Sequence, residues 1–177
     1  MSKIVEVKKQ RKFEDLAAAG IMFCCSEDDT ILLLLRAPWV SHGLTWSISG
    51  GGINNKDATT PGVITHELLV RTAFRETLEE CGSLPPDFSS DQIFDHTLWQ
   101  GNGFMYLTLI ADITLEQKLA WQCASADNEN VEFRWFPTEE VLHSKKLDGR
   151  PIHFGVKFTL KRAVMSAESY FDDKNVS

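Results

Sequence analysis

No apolar stretch in this chain is long enough to cross a membrane. Apolar runs such as Ile31 to Leu35 fall far short of the ~20 residues a spanning helix needs. The amino terminus also has no apolar segment of the kind that directs secretion. Positive charge is in short supply: 18 Lys and Arg against 25 Asp and Glu give a formal net charge of −7. That balance argues against a general nucleic-acid-binding surface, so a polyanionic ligand would have to be drawn by local Arg and Lys or by a bound cation. There are four cysteines, Cys24, Cys25, Cys81 and Cys123, and no spacing among them resembles a zinc site. They read as buried free thiols in a reducing compartment, and the expected location is the cytoplasm. Repeats and linkers are missing too. The 177 residues, 43% hydrophobic and 24% charged, suit one domain over 1–177 that buries about 70% of its unfolded surface.

What is present is organised around Glu67 to Gly82. Val70, Ala73, Phe74, Thr77 and Cys81 recur at three- and four-residue steps, which is helical periodicity and one core-facing stripe. Gly82 ends the helix, as a residue free to adopt positive φ. Glu76, Glu79 and Glu80 fall together on another face. Like charges one turn apart repel by roughly 0.2–0.5 kcal/mol per pair, too little to decide between an ordinary charged face and a binding site for a hard cation with oxygen ligands.

The neighbouring residues decide it. Glu67, then seven residues, then Arg75-Glu76-Thr77-Leu78-Glu79-Glu80-Cys81-Gly82 resembles the C-terminal part of the Nudix box. That box is the signature of a family hydrolysing nucleoside diphosphates linked to another moiety. Trp46 to Ile53 resembles the strand and glycine turn leading into the box, and Ala18 to Arg36 resembles the family's first core strands. The resemblance implies an α/β fold, an α/β/α sandwich around a mixed β-sheet. It also implies a metal-dependent pyrophosphohydrolase that releases a nucleoside monophosphate. Mg²⁺ or Mn²⁺ is then expected on Glu76, Glu79 and Glu80, with the Gly51 carbonyl as a further ligand. Such an ion neutralises the diphosphate and lowers the pKa of a water that attacks phosphorus in line. Arg75 is expected to orient the carboxylates and the glycine loop. The general base is Glu80 or Glu129, with Glu132 as the alternate to Glu129. Arg36 is placed to reach a phosphate with its planar fork, and Gly51 permits close backbone approach to substrate. Trp39 either stacks on a base or packs over its own loop, and Trp99 and Phe104 either stack or belong to the core. The nucleotide itself is not specified, since neither a substrate-diagnostic proline in Asp95–Gln100 nor a coenzyme A signature is evident. A homodimer stays open. The alternative class is a non-catalytic nucleotide-binding module, which loss of a box glutamate would have favoured.

Two departures from the family pattern carry expectations of their own. Pro61 stands where a box glycine is usual, and Gly51 is the better match to the glycine turn, implying about ten inserted residues before Glu67. Thr60-Pro61 reads as a helix cap and first-turn proline. The box helix is therefore expected to begin near Pro61 or Gly62, with Val63 continuing the core stripe. Glu67 would then face Arg71 rather than its usual partner, Arg75. Elsewhere, Ala17–Ser26 and Thr30–Arg36 form a hairpin over Glu27-Asp28-Asp29. Ile93–Gln100 and Phe104–Ile113 form another over Gly101-Asn102-Gly103. Val131–Phe136 alternates as a strand, and Phe154–Phe171 is an amphipathic helix. Residues 1–13 are a basic arm or edge strand, His42 is an ordinary loop histidine, and 172–177 is a disordered tail.

Overall fold

A computed structural model describes residues 12–124 and 128–163. The expectations for the basic arm, save its last two residues, and for the carboxyl-terminal tail lie outside the described residues.

Nine strands and four helices build the described chain. β1 (Ala17–Cys25) and β2 (Thr30–Arg36) are the expected first hairpin. They pair with each other only beside their turn, at Cys24–Ile31 and Cys25–Thr30. Beyond that they diverge, and the short strands β3 (Trp46–Ser47) and β4 (Ser49–Gly52) fill the gap. β3 pairs with β2 and β4 with β1. The glycine segment is thus a strand rather than a turn. β5 (Ile93–Gly101) and β6 (Phe104–Asp112) follow, with β6 running parallel to β1 along its length. β7 (Asn130–Pro137) closes the other edge of β2. The result is a seven-stranded mixed sheet.

β1 and β2 are apolar almost throughout because both of their faces are covered. Side chains alternate across a strand, so Ile21, Phe23, Leu32 and Leu34 face one core, which includes Leu68, Leu69 and Ala73 of α1 (His66–Cys81). Met22, Ile31, Leu33 and Leu35 face a second core with Trp46, with Val141 of α3 (Thr138–His143), and with Val156 and Leu160 of α4, residues 154–163. This is the expected sandwich. α2 (Leu115–Ala120) starts in a capping box of Thr114 and Gln117, and places Trp121 edge-on against Phe23 at 4.9 Å. No disulfide joins the four cysteines; Cys25 and Cys81 are buried as expected, whereas Cys24 and Cys123 are only partly buried. Burial, with the nearby charges of Asp112 and Asp29, pushes the Cys24 thiol up to about 12, which makes it a packing group rather than a nucleophile.

The early helix start does not occur. Thr60, Pro61, Gly62 and Val63 form a β-turn closed by Val63 N–H donating to Thr60 O at 3.2 Å. Proline followed by a glycine at φ 76° is the sequence of a type II turn, and that local preference wins over helix initiation. Val63 is exposed, so it does not extend the core stripe. The true N-cap is Thr65, whose hydroxyl accepts from Leu68 N–H at 3.1 Å. At the other end Gly82 is left-handed, φ 74°, and its N–H donates to Leu78 O, as expected. The hairpin of β8 (Lys146–Leu147) and β9 (Arg150–Pro151) is an addition to the sequence reading. Its turn residues Asp148 and Gly149 both have positive φ, so the Asp-Gly pair was its signal.

Candidate active site

Helix α1 stands directly on strand β4, and the glycines of that strand make the contact close. A methyl group on Gly20 of β1 would sit 2.2 Å from Ser49 O, so β1 and β4 also meet backbone to backbone. Ser49 Oγ lies 2.9 Å from Thr77 Oγ1 in a buried hydroxyl pair that fixes the register of helix on strand. One turn further along the helix, Glu80 Oε2 accepts from Gly50 N–H at 2.7 Å. The Glu76 carboxylate lies over Gly51, whose missing side chain leaves the space: a Cβ there would be 2.3 Å from Glu76 Oε2.

Arg75 knits the acidic face together. Its Nη1 contacts Glu76 Oε1 at 2.7 Å and Glu79 Oε2 at 2.8 Å. Its Nη2 donates to Gly52 O at 2.9 Å, and its Nε to Asp57 Oδ2 at 2.8 Å. Burial works against the arginine's charge, but the bond to Asp57 and the Glu76 charge outweigh it and raise its pKa.

Glu80 is 1% exposed. Burial pushes its carboxyl up to about 8, against the Gly50 N–H and the Asn130 side chain, which favour the charged form; Glu76 adds repulsion and Arg36 attraction. Burial raises Glu76 as well, with Arg75 opposing. Glu79 is half-exposed. Beyond Glu80, Arg36 Nη1 stands 4.0 Å from Glu80 Oε1, and Arg36 Nε donates to Ser41 O at 2.9 Å.

A cavity of about 240 Å³ opens beside this cluster, between the sheet and the start of α4. Its lining includes His42, Trp99, Phe104, Tyr106, His153 and Phe154. Tyr106 joins the two regions, because its Oη lies 2.4 Å from where a Gly50 Cβ would be. His42 and His153 meet edge to face at 5.2 Å.

An arginine-bound acidic face on a helix that stands on a glycine strand is the arrangement the box residues imply, and the NUDIX domain model matches residues 15–157. The chain belongs to the Nudix family. It is a Nudix-type pyrophosphohydrolase by that membership. Among solved structures it is similar to a Nudix hydrolase from M. smegmatis, RenU, at 20% identity and a TM-score of 0.52, covering 90% of this chain and 91% of that one. It is similar to a C. elegans Ap4A hydrolase in a binary complex, at 15% identity and a TM-score of 0.50, covering 86% and 98%. It is also similar to the Nudix domain of Shewanella oneidensis NrtR complexed with ADP ribose, at 16% identity and a TM-score of 0.52, covering 85% and 88%. At these identities the likeness is one of fold. No curated protein matches the chain in sequence.

The Nudix frame does not gather every residue singled out from sequence. Trp39 is 70% exposed and is not among the residues lining the cavity. Glu129 is exposed just before β7, and its charge is felt at Glu76. Glu132 is engaged by Arg134. Glu67 pairs with Arg71, as expected, although the helix start that motivated the expectation is absent. His42 is a loop residue that also lines the cavity. Asp57 was not singled out. The signal lay in composition: it is the one acidic residue between Ile53 and His66, and so the one carboxylate the inserted segment has to offer Arg75.

Among the described residues, no three acidic, histidine or cysteine side chains are drawn into a ready ligand cage. The donor set still fits Mg²⁺ or Mn²⁺. It consists of hard carboxylate oxygens, and Mg²⁺ usually takes one or two carboxylates while keeping waters and bridging to phosphate. Glu76 and Glu80 supply two carboxylates above adjacent glycines, Gly51 and Gly50. A cation there would also offset the burial of Glu80. No described helix is long and apolar enough to cross a membrane.

Proposed function

We propose that the chain hydrolyses the pyrophosphate bond of a nucleoside diphosphate linked to another moiety and releases a nucleoside monophosphate, with Mg²⁺ or Mn²⁺ held by Glu76, Glu79 and Glu80. One observation carries the reading: a carboxylate cluster on α1 abuts, through Gly50 and Tyr106, a cavity lined by Trp99, Phe104 and Phe154. A polyphosphate and an aromatic base need those two environments side by side. ADP ribose, bound by one structural neighbour, is itself a nucleoside diphosphate carrying a second moiety. The cavity volume is below the usual range for drug-sized ligands, which supports one enclosed ring system with the rest of the substrate outside.

When bound, the divalent ion supplies charge neutralisation and acidifies water. The chain's own residues do the positioning. Arg75 holds Glu76 and Glu79 in fixed directions, and Gly50 N–H holds Glu80. Arg36, beside Glu80 at the end of β2, is placed for a phosphate oxygen. The rings of Trp99 and Phe104, 6.3 Å apart, offer an apolar face to a base, and the Gly51 backbone lets substrate approach. Of the two candidate bases, Glu80 has the better support, since it is buried against Gly50, next to the cavity residue Tyr106, whereas Glu129 is exposed just before β7.

Glu79→Gln and Glu80→Gln remove charge while keeping shape. Each is expected to lower turnover by at least ~10²-fold, the low end for one positioned catalytic group, with unchanged thermal melts. Turnover within a few-fold of wild type in both variants would sink the assignment. A non-catalytic binder would instead bind nucleotide equally well and release no product from any of the proteins.

A further inference from the structure

We propose that Asp57 is a positioning residue for the carboxylate cluster, acting through Arg75. The proposal rests on the hydrolase reading above and assigns a task to the inserted segment between β4 and α1.

The geometry is specific. A guanidinium is planar, with donors in a fixed fork, so contacts on different edges set both its plane and its rotation. Asp57 Oδ2 takes the Nε edge at 2.8 Å and Gly52 O takes Nη2 at 2.9 Å. That leaves Nη1 aimed at Glu76 and Glu79. With Asp57 removed, the remaining charged contacts of Arg75 would be those same two glutamates.

The loop is built to hold this residue still. Asp57 N–H donates to Asn54 O at 3.0 Å, and Lys56 N–H donates to Asn54 Oδ1 at 2.9 Å. Asn55 Nδ2 donates to Glu14 Oε1 at 3.2 Å, and Ala58 packs on the core. The Asp57 side chain is 13% exposed, which is low for an acid in a surface loop. Glu67 is not the partner of Arg75, since it is engaged by Arg71 on the exposed side of the helix, and Arg71 also donates to Asp57 O at 3.5 Å.

Charge gives the contact its consequence. Arg75 orients Glu76 and Glu79 but also competes with a cation for their oxygens. Asp57 satisfies part of the arginine's charge from outside the cluster, so the glutamates are oriented without being fully neutralised.

The test is Mn²⁺ binding to the metal-free protein, followed by the electron paramagnetic resonance of free Mn²⁺, together with turnover. Asp57→Ala is expected to weaken Mn²⁺ binding by about tenfold or more, within the ~10–100-fold typical when a partner of a ligating group is lost. Asp57→Asn keeps the shape and an acceptor for Nε but loses the charge, and serves if the alanine variant fails to fold; it is expected to weaken binding as well, by less. In an Arg75→Gln background, Asp57→Ala should produce no further loss. Unchanged Mn²⁺ affinity in both Asp57 variants, or a full additional loss on top of Arg75→Gln, would overturn the proposal. If Glu80→Gln impairs binding and turnover while the Asp57 variants do not, this proposal alone fails. If Glu80→Gln also leaves both unchanged, the hydrolase reading fails with it.

Discussion

A single methyl group at Gly51 separates the fold from the chemistry. Gly51 pairs with Ala19 in the β1–β4 ladder, and it is not among the glycines with positive φ, so alanine fits the backbone. A Cβ there would lie 2.3 Å from Glu76 Oε2, 2.5 Å from its Cδ and 2.8 Å from Oε1. Ordinary contact begins at 3.4 Å, so the carboxylate must withdraw by roughly 1 Å. It cannot do so freely, because Arg75 Nη1 holds Oε1 at 2.7 Å, and Arg75 is itself tied to Gly52 and Asp57. Misplacing a reacting group by 1 Å lowers turnover by about 10²-fold. The fold should persist with little net change in stability, since the about 0.4–1 kcal/mol that Gly→Ala gains through the unfolded chain offsets most of the cost of drawing the Glu76 carboxylate off Arg75, a partly exposed pair worth about 0–1 kcal/mol. Steady-state turnover at saturating Mg²⁺, with thermal melts of the same preparations, separates the two effects. Gly50→Ala is the contrast: its Cβ would meet Tyr106 Oη at 2.4 Å and Ala19 O at 2.7 Å, at φ 155°. It should destabilise by about 1–3 kcal/mol. Wild-type turnover in Gly51→Ala would show that the position of Glu76 above the strand is not part of the mechanism.

Thr65→Ala removes the hydroxyl that accepts from Leu68 N–H; loss of such a cap costs about 1 kcal/mol, so the melting temperature should fall by about 2–4 °C, whereas Thr60→Ala, if Thr60 is no cap, should change little. Burial and its neighbours His42 and Arg36 depress His153 to about 4, below the ordinary 6.5. The unfolded chain therefore takes up that proton first, and the His153 contribution is complete above pH 6.5 and is lost as pH falls toward 4. After allowance for partial exposure this is about 1–2 kcal/mol. Glu80, raised to about 8, slopes the opposite way over part of this window. The check is therefore the difference between wild type and His153→Gln in urea unfolding, and equal slopes for the two proteins would contradict it.

The sequence was most readable where one local cause decided the outcome. Gly82 had to end α1, the five-residue leucine-rich run of β2 had to be buried on both faces, and Asn102-Gly103, both at positive φ, had to turn the β5–β6 hairpin. It misled at Thr60-Pro61-Gly62, where two local motifs share residues and the type II turn outcompetes the helix cap. The cavity was the least readable part. His42, Tyr106 and His153 come from three separate regions of the chain and meet only because β6 runs parallel to β1 and α4 folds back over that face. Asp57 is intermediate: its partner Arg75 is 18 positions away, beyond any periodicity, although it is the one acidic residue of the inserted segment.

The proposed role of the α1 carboxylates is divalent-ion-dependent cleavage of a pyrophosphate bond. The most direct measurement incubates the protein with ADP ribose, dinucleoside polyphosphates and nucleoside triphosphates, with Mg²⁺ or Mn²⁺ and then with excess EDTA, and identifies phosphorus-containing products by ³¹P resonance. At least one of these compounds should yield a nucleoside monophosphate, EDTA should stop its release, and added Mg²⁺ should restore it. Undiminished release in EDTA, or no cleavage of any of them with either ion, would contradict that role.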